Sequence, residues 1–330
     1  MSKAAPSETE PLAAAVAGGD RRALAQAITL VESTRPEDRP NADALLEKLL
    51  PRTGKAIRLG ISGAPGVGKS TFIEAFGLHL VKQGHRLAVL AVDPSSRIGG
   101  GSILGDKTRM AELAADSRAF IRPSPAGQTL GGVARRSREA LLLCEAAGHD
   151  VVLVETVGVG QSETAVADMT DMFLLLLQPG GGDELQGIKR GIVELADLIL
   201  VNKADGAMLE AAGRTAADYQ HALRLLRPAT AGWQPEVLRC SALTGAGIPE
   251  VWSKVEAFQK AIGKKAITER RARQARAWLR AELADSLMEA IGRHADLAKQ
   301  LPALEAKVAA GTATPGAAAR ALLGRFLDRK

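Results

Sequence analysis

The chain of 330 residues has few aromatic side chains and few cysteines. Phe, Trp and Tyr make up 3% of the residues, which leaves little material for the stacking surfaces that bind single-stranded nucleic acid. Cys144 and Cys240 cannot form a disulfide framework, and no histidine lies at ligand spacing to complete a zinc site with them. Both lie in apolar segments, so we expect two buried, inert thiols.

Long hydrophobic runs are also lacking. No unbroken apolar run is longer than Met172 to Leu177, which is far too short to cross a bilayer of about 30 Å. The first twenty residues contain Glu8, Glu10 and Asp20, and they match neither a secretory signal nor an Arg-rich transit peptide. These features predict a cytoplasmic protein with no membrane association.

The excess of positive charge is small. Lys and Arg number 43 and Asp and Glu number 37, which gives a net charge of +6. This excess weakly favours acidic partners such as phosphates and does not indicate a nucleic-acid binder. Hydrophobic residues make up 46% of the chain and charged residues 24%, which is ordinary globular usage. The length allows a main domain with one or two smaller units.

Hydrophobic periodicity divides the chain into three predicted regions. Residues 1–50 show helical spacing and are predicted to form an N-terminal helical extension, and residues 263–330 are again helical. Between them, residues 51–262 alternate apolar strand-like runs with amphipathic helices, which predicts an α/β fold whose mainly parallel sheet is flanked by helices. The predicted strands are Ile57–Ser62, Leu87–Asp93, Phe120–Arg122, Val151–Glu155, Met172–Gln178, Leu198–Asn202 and Val237–Cys240.

The C-terminal region is predicted to begin with one long helix, Lys264 to Ile291. Apolar side chains recur every four residues along it, at Leu279, Leu283, Leu287 and Ile291. Such an apolar stripe either packs on the sheet domain or forms a dimer. A basic cluster over residues 270–276 could bind an acidic partner, but we favour a solvated helix face because acidic residues follow it on the same helix.

A phosphate-binding motif, G-x-x-x-x-G-K-[ST], lies between a predicted strand and a predicted helix. It consists of Gly63, Ala64, Pro65, Gly66, Val67, Gly68, Lys69 and Ser70, and Thr71 follows it. Glycines allow backbone N–H groups to surround phosphate oxygens, and the helix N-terminus adds partial positive charge. Lys69 can reach the β- and γ-phosphates, and the Ser70 hydroxyl can ligate Mg²⁺.

A second motif, Asn202-Lys203-Ala204-Asp205, follows the strand at Leu198–Asn202. The Asp205 carboxylate can accept hydrogen bonds from guanine N1–H and the N2 amine, whereas adenine offers an acceptor at N1 and no N2 amine. A buried mismatch of this kind discriminates strongly, so the motif predicts guanine recognition. Backbone N–H groups for the guanine O6 could come from Ser241, Ala242 and Leu243, which follow the next strand.

Two carboxylates end predicted strands at the same edge of the sheet. Asp93 and Glu155 are hard oxygen ligands suited to Mg²⁺, although both could instead cap the following segments. Gly158 could sense a γ-phosphate through its N–H. The glycine-rich segment 97–109 contains Asp106 as a further candidate carboxylate and is either a nucleotide-ordered loop or a plain surface loop.

The residue after Gly158 is Val159, where many Ras-like GTPases have a glutamine that orients the attacking water. Valine cannot do this, and Gln161 is out of register. We therefore predict slow intrinsic hydrolysis that a partner accelerates. A second glycine-rich loop, over residues 180–190, could carry a nucleotide-dependent contact with that partner, or it could be a flexible linker.

Several longer runs match one known family. They are GAPGVGKST (63–71), AVDPSS (91–96), GGSILGDKTRM (100–110), FIRPSP (120–125), TLGGV (129–133), VETVGVGQSE (154–163), AVADM (165–169) and GGDELQGIKRGI (181–192). Over residues 45 to 260 the chain resembles the methylmalonyl-CoA mutase-associated GTPases of the MeaB/ArgK type, which include the human MMAA protein. The terminal helical regions resemble the family only in character, and Arg97-Ile98 and the extra Gly101 depart from its pattern.

The resemblance implies a P-loop GTPase that is homodimeric through its C-terminal helices. The family escorts adenosylcobalamin-dependent methylmalonyl-CoA mutase, gates cofactor loading from the adenosyltransferase and protects the mutase from inactivation. Lys69, Asp106 and Glu155 then become the expected catalytic residues. Ser70, Asp93, Asp106 and Glu155 become the expected Mg²⁺ set, and residues 178–189 an additional switch. The expected ligands are GTP or GDP and Mg²⁺, without tightly bound cobalamin.

Three alternatives stay open at this point. The partner could be a related acyl-CoA mutase. Some family members carry a label as a transport-system kinase of the LAO/AO type, although no general base for a substrate hydroxyl is evident here. A nickel-insertion GTPase has similar architecture, but the His- or Cys-rich metal store that would support it is missing from this sequence.

Overall fold

A computed structural model describes residues 9–92, 110–123, 130–156, 162–180 and 190–327. Within them, seven strands form one sheet. The strands are β1 (Ile57–Gly63), β2 (Leu87–Val92), β3 (Ala119–Arg122), β4 (Val151–Thr156), β5 (Met172–Leu177), β6 (Leu198–Val201) and β7 (Glu236–Arg239). Their order is β3-β2-β4-β1-β5-β6-β7, and all paired neighbours run parallel. The predicted parallel α/β sheet is confirmed.

Helices connect these strands and extend the chain at both ends. They are α1 (Thr9–Ala17), α2 (Arg21–Glu32), α3 (Arg39–Leu49), α4 (Lys69–Lys82), α5 (Ala111–Ala115), α6 (Leu130–Ala146), α7 (Ser162–Ala167), α8 (Arg190–Leu195), α9 (Leu209–Leu225), α10 (Ile248–Arg293), α11 (Ala295–Ala309) and α12 (Pro315–Leu327). Among the described residues, no helix combines the length and hydropathy needed to cross a bilayer.

Helices cover both faces of the sheet, so most strand residues are buried. Every residue of β1, β2, β4 and β5 is buried, and β5 reads Met-Phe-Leu-Leu-Leu-Leu. Phe72 and Phe76 of α4 stack with ring centroids 5.4 Å apart, and Phe76 also packs near Trp252 of α10. Helix packing of this kind leaves the carboxyl ends of the strands as the edge at which loops can form a site.

The chain divides into two compact units, residues 1–274 and 275–330. The first holds the sheet and the N-terminal helices, with α2 and α3 contributing the fully buried Leu24, Ile28 and Leu45. The second has a small core of its own around Ile291 and Leu322. The three sequence regions, 1–50, 51–262 and 263–330, stay a prediction.

Helix α10 is interrupted at Gly263, whose backbone is non-helical (φ 73°, ψ 163°), so a new helical segment begins at Lys264 as the periodicity predicts. The solvated-face interpretation of the basic cluster is wrong for Arg270 and Arg271. Arg271 donates from Nε to Asp171 Oδ1 (2.8 Å), just before β5, and its side chain is only 15% exposed. The sequence pattern could not indicate this pairing because its partner lies a hundred residues away.

Candidate functional site

The loop between β1 and α4 requires glycine at several positions. Gly66 and Gly68 adopt left-handed backbone angles, with φ of 82° and 91°. A Cβ at Gly68 would lie 2.8 Å from Asn202 Nδ2, and one at Gly63 would lie 2.5 Å from the Leu176 carbonyl oxygen. Both distances are shorter than a Cβ atom tolerates to a neighbouring heavy atom, so a side chain at either position would force the loop away from the residues it contacts.

Lys69 is the first residue of α4, and its side chain turns back over the loop. Its Nζ donates to the carbonyl oxygens of Gly63 (2.7 Å) and Ala64 (3.3 Å). Burial lowers the pKa of Lys69 below its usual value, and the charges of Glu155 and Glu163 oppose that shift. The ammonium group therefore lies where an anion cradled by the loop would meet it.

The predicted guanine motif lies beside the phosphate loop. Asn202 Nδ2 donates to the Val67 carbonyl oxygen (2.9 Å), and Asn202 Oδ1 accepts from the Ala242 N–H (3.1 Å). Lys203 Nζ donates to the Gly66 carbonyl oxygen (2.6 Å), and Lys203 has a positive φ of 57°. A positive φ in a non-glycine residue is uncommon and marks a backbone held by its surroundings. The two loops are thus tied directly to each other.

The Asp205 carboxylate is oriented by the loop after β7. Ser241 Oγ donates to Asp205 Oδ2, and the Thr244 N–H donates to Ser241 Oγ (3.1 Å). The Ala204 N–H donates to the Cys240 carbonyl oxygen (3.0 Å), which joins the two loops through the backbone as well. An oriented acceptor of this kind can distinguish guanine from adenine by its hydrogen-bonding edge.

Glu155 and Ser70 are the described members of the predicted Mg²⁺ set. Glu155 is buried near the end of β4, in register with Ile61 of β1 and Ala91 of β2, and Ser70 is half-buried in the first turn of α4. No group of three or more His, Cys, Asp or Glu residues suited to a metal occurs in the described part of the chain. Oxygen donors fit Mg²⁺, which usually takes one or two protein ligands together with substrate phosphates.

Some predicted residues lie outside the residues that the structure describes. They are Asp93, Asp106, Gly158, Val159, Gln161 and residues 181–189 of the predicted additional switch. Among the described residues, Pro65, Thr71 and Leu243 are exposed around the loops, and the Leu243 side chain is 82% exposed.

Sequence reasoning assigned no role to three residues at this site. Glu163, in the first turn of α7, is buried and contributes charge near Lys69. Thr156 Oγ1 donates to Ser62 Oγ (2.9 Å), and both side chains are buried where β4 and β1 end. The available signal was a hydroxyl side chain near the end of each of these two buried strands.

Comparison with known proteins agrees with this geometry. The family described as methylmalonyl Co-A mutase-associated GTPase MeaB matches residues 24–296. The chain is 50% identical over 322 residues to the mitochondrial methylmalonic aciduria type A homolog of Mus musculus, covering 94% of this chain and 78% of that protein. It is 51% identical over 271 residues to the GTPase ArgK of Escherichia coli, covering 82% of each.

A solved structure extends the likeness to the whole fold. The crystal structure of an LAO/AO transport system kinase is 38% identical and matches with a TM-score of 0.77, covering 99% of this chain and 100% of that one. Because the family match and the relatives span most of the chain, they identify its class as well as its fold. The chain belongs to the methylmalonyl-CoA mutase-associated GTPases of the MeaB family and is a P-loop enzyme that hydrolyses GTP.

Proposed function

We propose that this GTPase is a chaperone of an adenosylcobalamin-dependent methylmalonyl-CoA mutase, gating cofactor loading and protecting the mutase from inactivation. The observation that carries the proposal is the family match over residues 24–296, since that family is described by its association with the mutase. The name of the relative from Mus musculus refers to methylmalonic aciduria, which supports a role connected with methylmalonyl metabolism.

The phosphate loop, residues 63–71, would bind the GTP phosphates through its backbone N–H groups. Lys69 would leave the loop carbonyls and bond the β- and γ-phosphate oxygens, because a charged acceptor forms stronger hydrogen bonds than a neutral carbonyl. We assign Lys69, Asp106 and Glu155 the catalytic roles, with Lys69 stabilising the charge that develops during phosphoryl transfer.

Ser70 and Glu155, together with Asp93 and Asp106, would hold Mg²⁺. An ion held by these residues would supply positive charge that offsets the negative charge of the phosphate oxygens. The burial of Glu155 beside Lys69 supports this assignment, because a buried carboxylate requires a compensating positive charge. Gly158 would contact the γ-phosphate through its N–H.

Asp205 would bind the guanine N1–H and N2 amine, with Asn202 and Lys203 fixing the loop around it. Ser241, Ala242 and Leu243 would complete the base site. The support for this assignment is the set of hydrogen bonds that join Asn202 to the phosphate loop and Ser241 to Asp205. A preformed base site loses little entropy when the nucleotide binds.

Slow intrinsic turnover is part of the same proposal, since Val159 follows Gly158 and cannot orient a water. The mutase would accelerate hydrolysis, and residues 178–189 would carry the nucleotide signal to it. The adenosyltransferase would be a further partner. This chain would not hold cobalamin tightly, and the complex would be cytoplasmic.

We also propose a homodimer. Leu279, Leu283 and Met288 on α10 are about 60% exposed, and Leu287 lies on the same stripe. Large apolar side chains at this spacing on one helix are typical of an interface. A second copy of the same helix would remove them from water.

The test is GTP and ATP hydrolysis by the purified chain, with and without purified methylmalonyl-CoA mutase. We expect slow turnover of GTP only, accelerated by the mutase. As a control, Asp205→Asn should lose the preference for GTP over ATP by about tenfold or more, because it replaces an acceptor oxygen with a donor amide. Turnover that is unchanged by this mutase would refute the named partner and direct the search to related acyl-CoA mutases.

A kinase is the second candidate, because the solved relative is described as a transport system kinase. The same assay distinguishes it if it includes a periplasmic binding protein and γ-labelled nucleotide. Label transferred to that protein would favour the kinase, whereas release of inorganic phosphate alone would favour the hydrolase.

A further inference from the structure

Two buried hydroxyl groups bond to each other where β1 and β4 end. Thr156 Oγ1 donates to Ser62 Oγ at 2.9 Å, and the two residues are 0% and 1% exposed. Thr156 is the last residue of β4, and Ser62 is the last but one of β1. The pair therefore lies at the edge of the sheet that carries the nucleotide loops.

Three chain segments leave the sheet around this pair. After Ser62 comes Gly63, whose carbonyl oxygen accepts a hydrogen bond from Lys69. Thr156 is in register with Val92, the last residue of β2, so the chain on that side continues into Asp93. Directly after Thr156 come residues 157–161, which contain Gly158. Each segment holds a residue that we place at the phosphates or the metal.

Neither hydroxyl is needed to form the strands. Valine has nearly the shape of threonine and an equal or higher preference for a buried strand, and β1, β2 and β4 are otherwise rich in such residues. A buried hydroxyl destabilises the fold unless it is bonded, and replacing both members of a bonded pair by apolar groups of the same shape can be nearly neutral, so fold stability does not require this pair. The hydroxyl pair differs from an apolar pair in being directional. A hydrogen bond fixes the separation and angle of two groups more narrowly than apolar contact does.

We propose that Ser62 and Thr156 are positioning residues for GTP hydrolysis. Their bond holds the end of β4, from which the chain continues towards Gly158, at a fixed distance from the end of β1, from which the phosphate loop begins. The proposal rests on the GTPase activity alone and requires no partner protein, so its test is independent of the proposed mutase.

The consequence is a selective loss of turnover when the bond is removed. Small displacements of groups around a reacting phosphate lower the rate of the chemical step more than they lower ground-state binding. Thr156→Val should lower kcat for GTP by about tenfold while KM and GDP affinity change less than twofold. Thr156→Ser keeps a hydroxyl at the same position and should retain most of the activity.

The experiment measures kcat and KM for GTP and the affinity for a fluorescent GDP analogue in four variants: Thr156→Val, Thr156→Ser, Ser62→Ala and the Thr156→Val/Ser62→Ala double variant. The double variant should be no slower than Thr156→Val, because both substitutions remove the same interaction. Thr170→Val is the matched control. Thr170 lies just before the amino end of β5, and its buried hydroxyl donates to the Val166 carbonyl oxygen. Removing this hydroxyl should leave kcat unchanged.

Three results would overturn the proposal. They are a kcat of Thr156→Val within twofold of the unchanged chain, a parallel loss of GDP affinity and kcat, and a Thr156→Ser variant as slow as Thr156→Val. If Thr156→Val does not fold, Ser62→Ala removes a single oxygen atom from the same bond and decides the question by the same criteria.

Discussion

The two ends of the same sheet differ in how they are held. At the carboxyl ends, the loops are rich in glycine and carry two cations, Lys69 and Lys203. Among the described residues, the hydrogen bonds of both side chains go to neutral backbone carbonyl oxygens. At the amino ends, charged side chains bond to each other in the interior. Arg58 of β1 donates to Glu145 through Nε (2.8 Å), and both side chains are almost fully buried.

The network of charged side chains continues across the amino ends of the neighbouring strands. Asp171, before β5, accepts from the Arg58 N–H (2.9 Å) and from Arg271. Asp197, before β6, accepts from the Phe173 N–H (3.0 Å). Burial alone would lower the pKa of Arg271, but its bonds to Asp171 and the charge of Glu145 raise it above the usual value. Cations at this end are thus held by direct bonds to carboxylates, whereas Lys69 and Lys203 at the other end are held by backbone carbonyl oxygens.

The largest effect should come from removing the cation of the phosphate loop. We expect Lys69→Ala to lower kcat/KM for GTP by at least a thousandfold, about 4 kcal/mol, because the developing phosphate charge loses its stabilising partner. Its free energy of unfolding should change much less than its activity, since the hydrogen bonds of Lys69 among the described residues go to loop carbonyls and the charges of Glu155 and Glu163 lose one favourable neighbour. Steady-state kinetics and urea unfolding measure the two quantities, and an unchanged rate would contradict the phosphate-binding role.

The reverse behaviour is expected at the amino ends. Asp171→Asn should lower the free energy of unfolding by about 3 kcal/mol, because it leaves the largely buried side chain of Arg271 without its closest counter-charge. GTP turnover by the folded variant should remain normal. The control is Glu210→Ala, which breaks an exposed pair with Arg214 on α9 and should cost less than about 1 kcal/mol. Equal losses in the two variants would remove the contrast between buried and exposed pairs.

A smaller effect should appear as a pH dependence. His149, two residues before β4, is buried, with Nδ1 3.0 Å from the Cys144 carbonyl oxygen, and burial lowers its pKa from 6.5 to about 4. Between these values the unfolded chain binds a proton that the folded chain does not, so stability falls as the pH drops from 6.5 to 4. The histidine contributes up to about 3 kcal/mol to that fall.

Urea unfolding at pH 7 and pH 4.5 checks this contribution. The His149→Gln variant can still donate to the Cys144 carbonyl but does not titrate, and its stability should decline less on acidification than that of the unchanged chain. His221→Gln, at an exposed position on α9, should leave the decline as it was. A decline that His149→Gln leaves unaltered would show that burial does not govern this group.

The sequence predicts the structure well where the residues that determine a feature are adjacent in the chain. Parallel strands buried on both faces are continuous apolar runs, so each predicted strand agrees with the structure to within one or two residues at its ends. The phosphate loop and the guanine motif are local in the same sense, and their residues are adjacent in sequence.

Contacts between distant segments could not be predicted in this way. The strand order is set by which helices cross which face, and no single run encodes it. Arg271 pairs with Asp171 a hundred residues away, and its sequence neighbours Arg273 and Arg276 are exposed, so the cluster resembled a solvated face. Asn202 bonds the Val67 carbonyl oxygen across 135 residues, and only the folded sheet brings them together.

The hydrogen bond from Asn202 to the Val67 carbonyl oxygen has a consequence for how nucleotides and their fragments should bind. Because Asn202 ties the base loop to the phosphate loop, the two halves of the site lie at a fixed spacing before any ligand arrives. In the proposed binding mode, a guanine nucleoside or a bare phosphate would engage one half only. A nucleotide bound at one half would present its other end to the second half at a high effective concentration, so its affinity should exceed what either fragment alone would suggest.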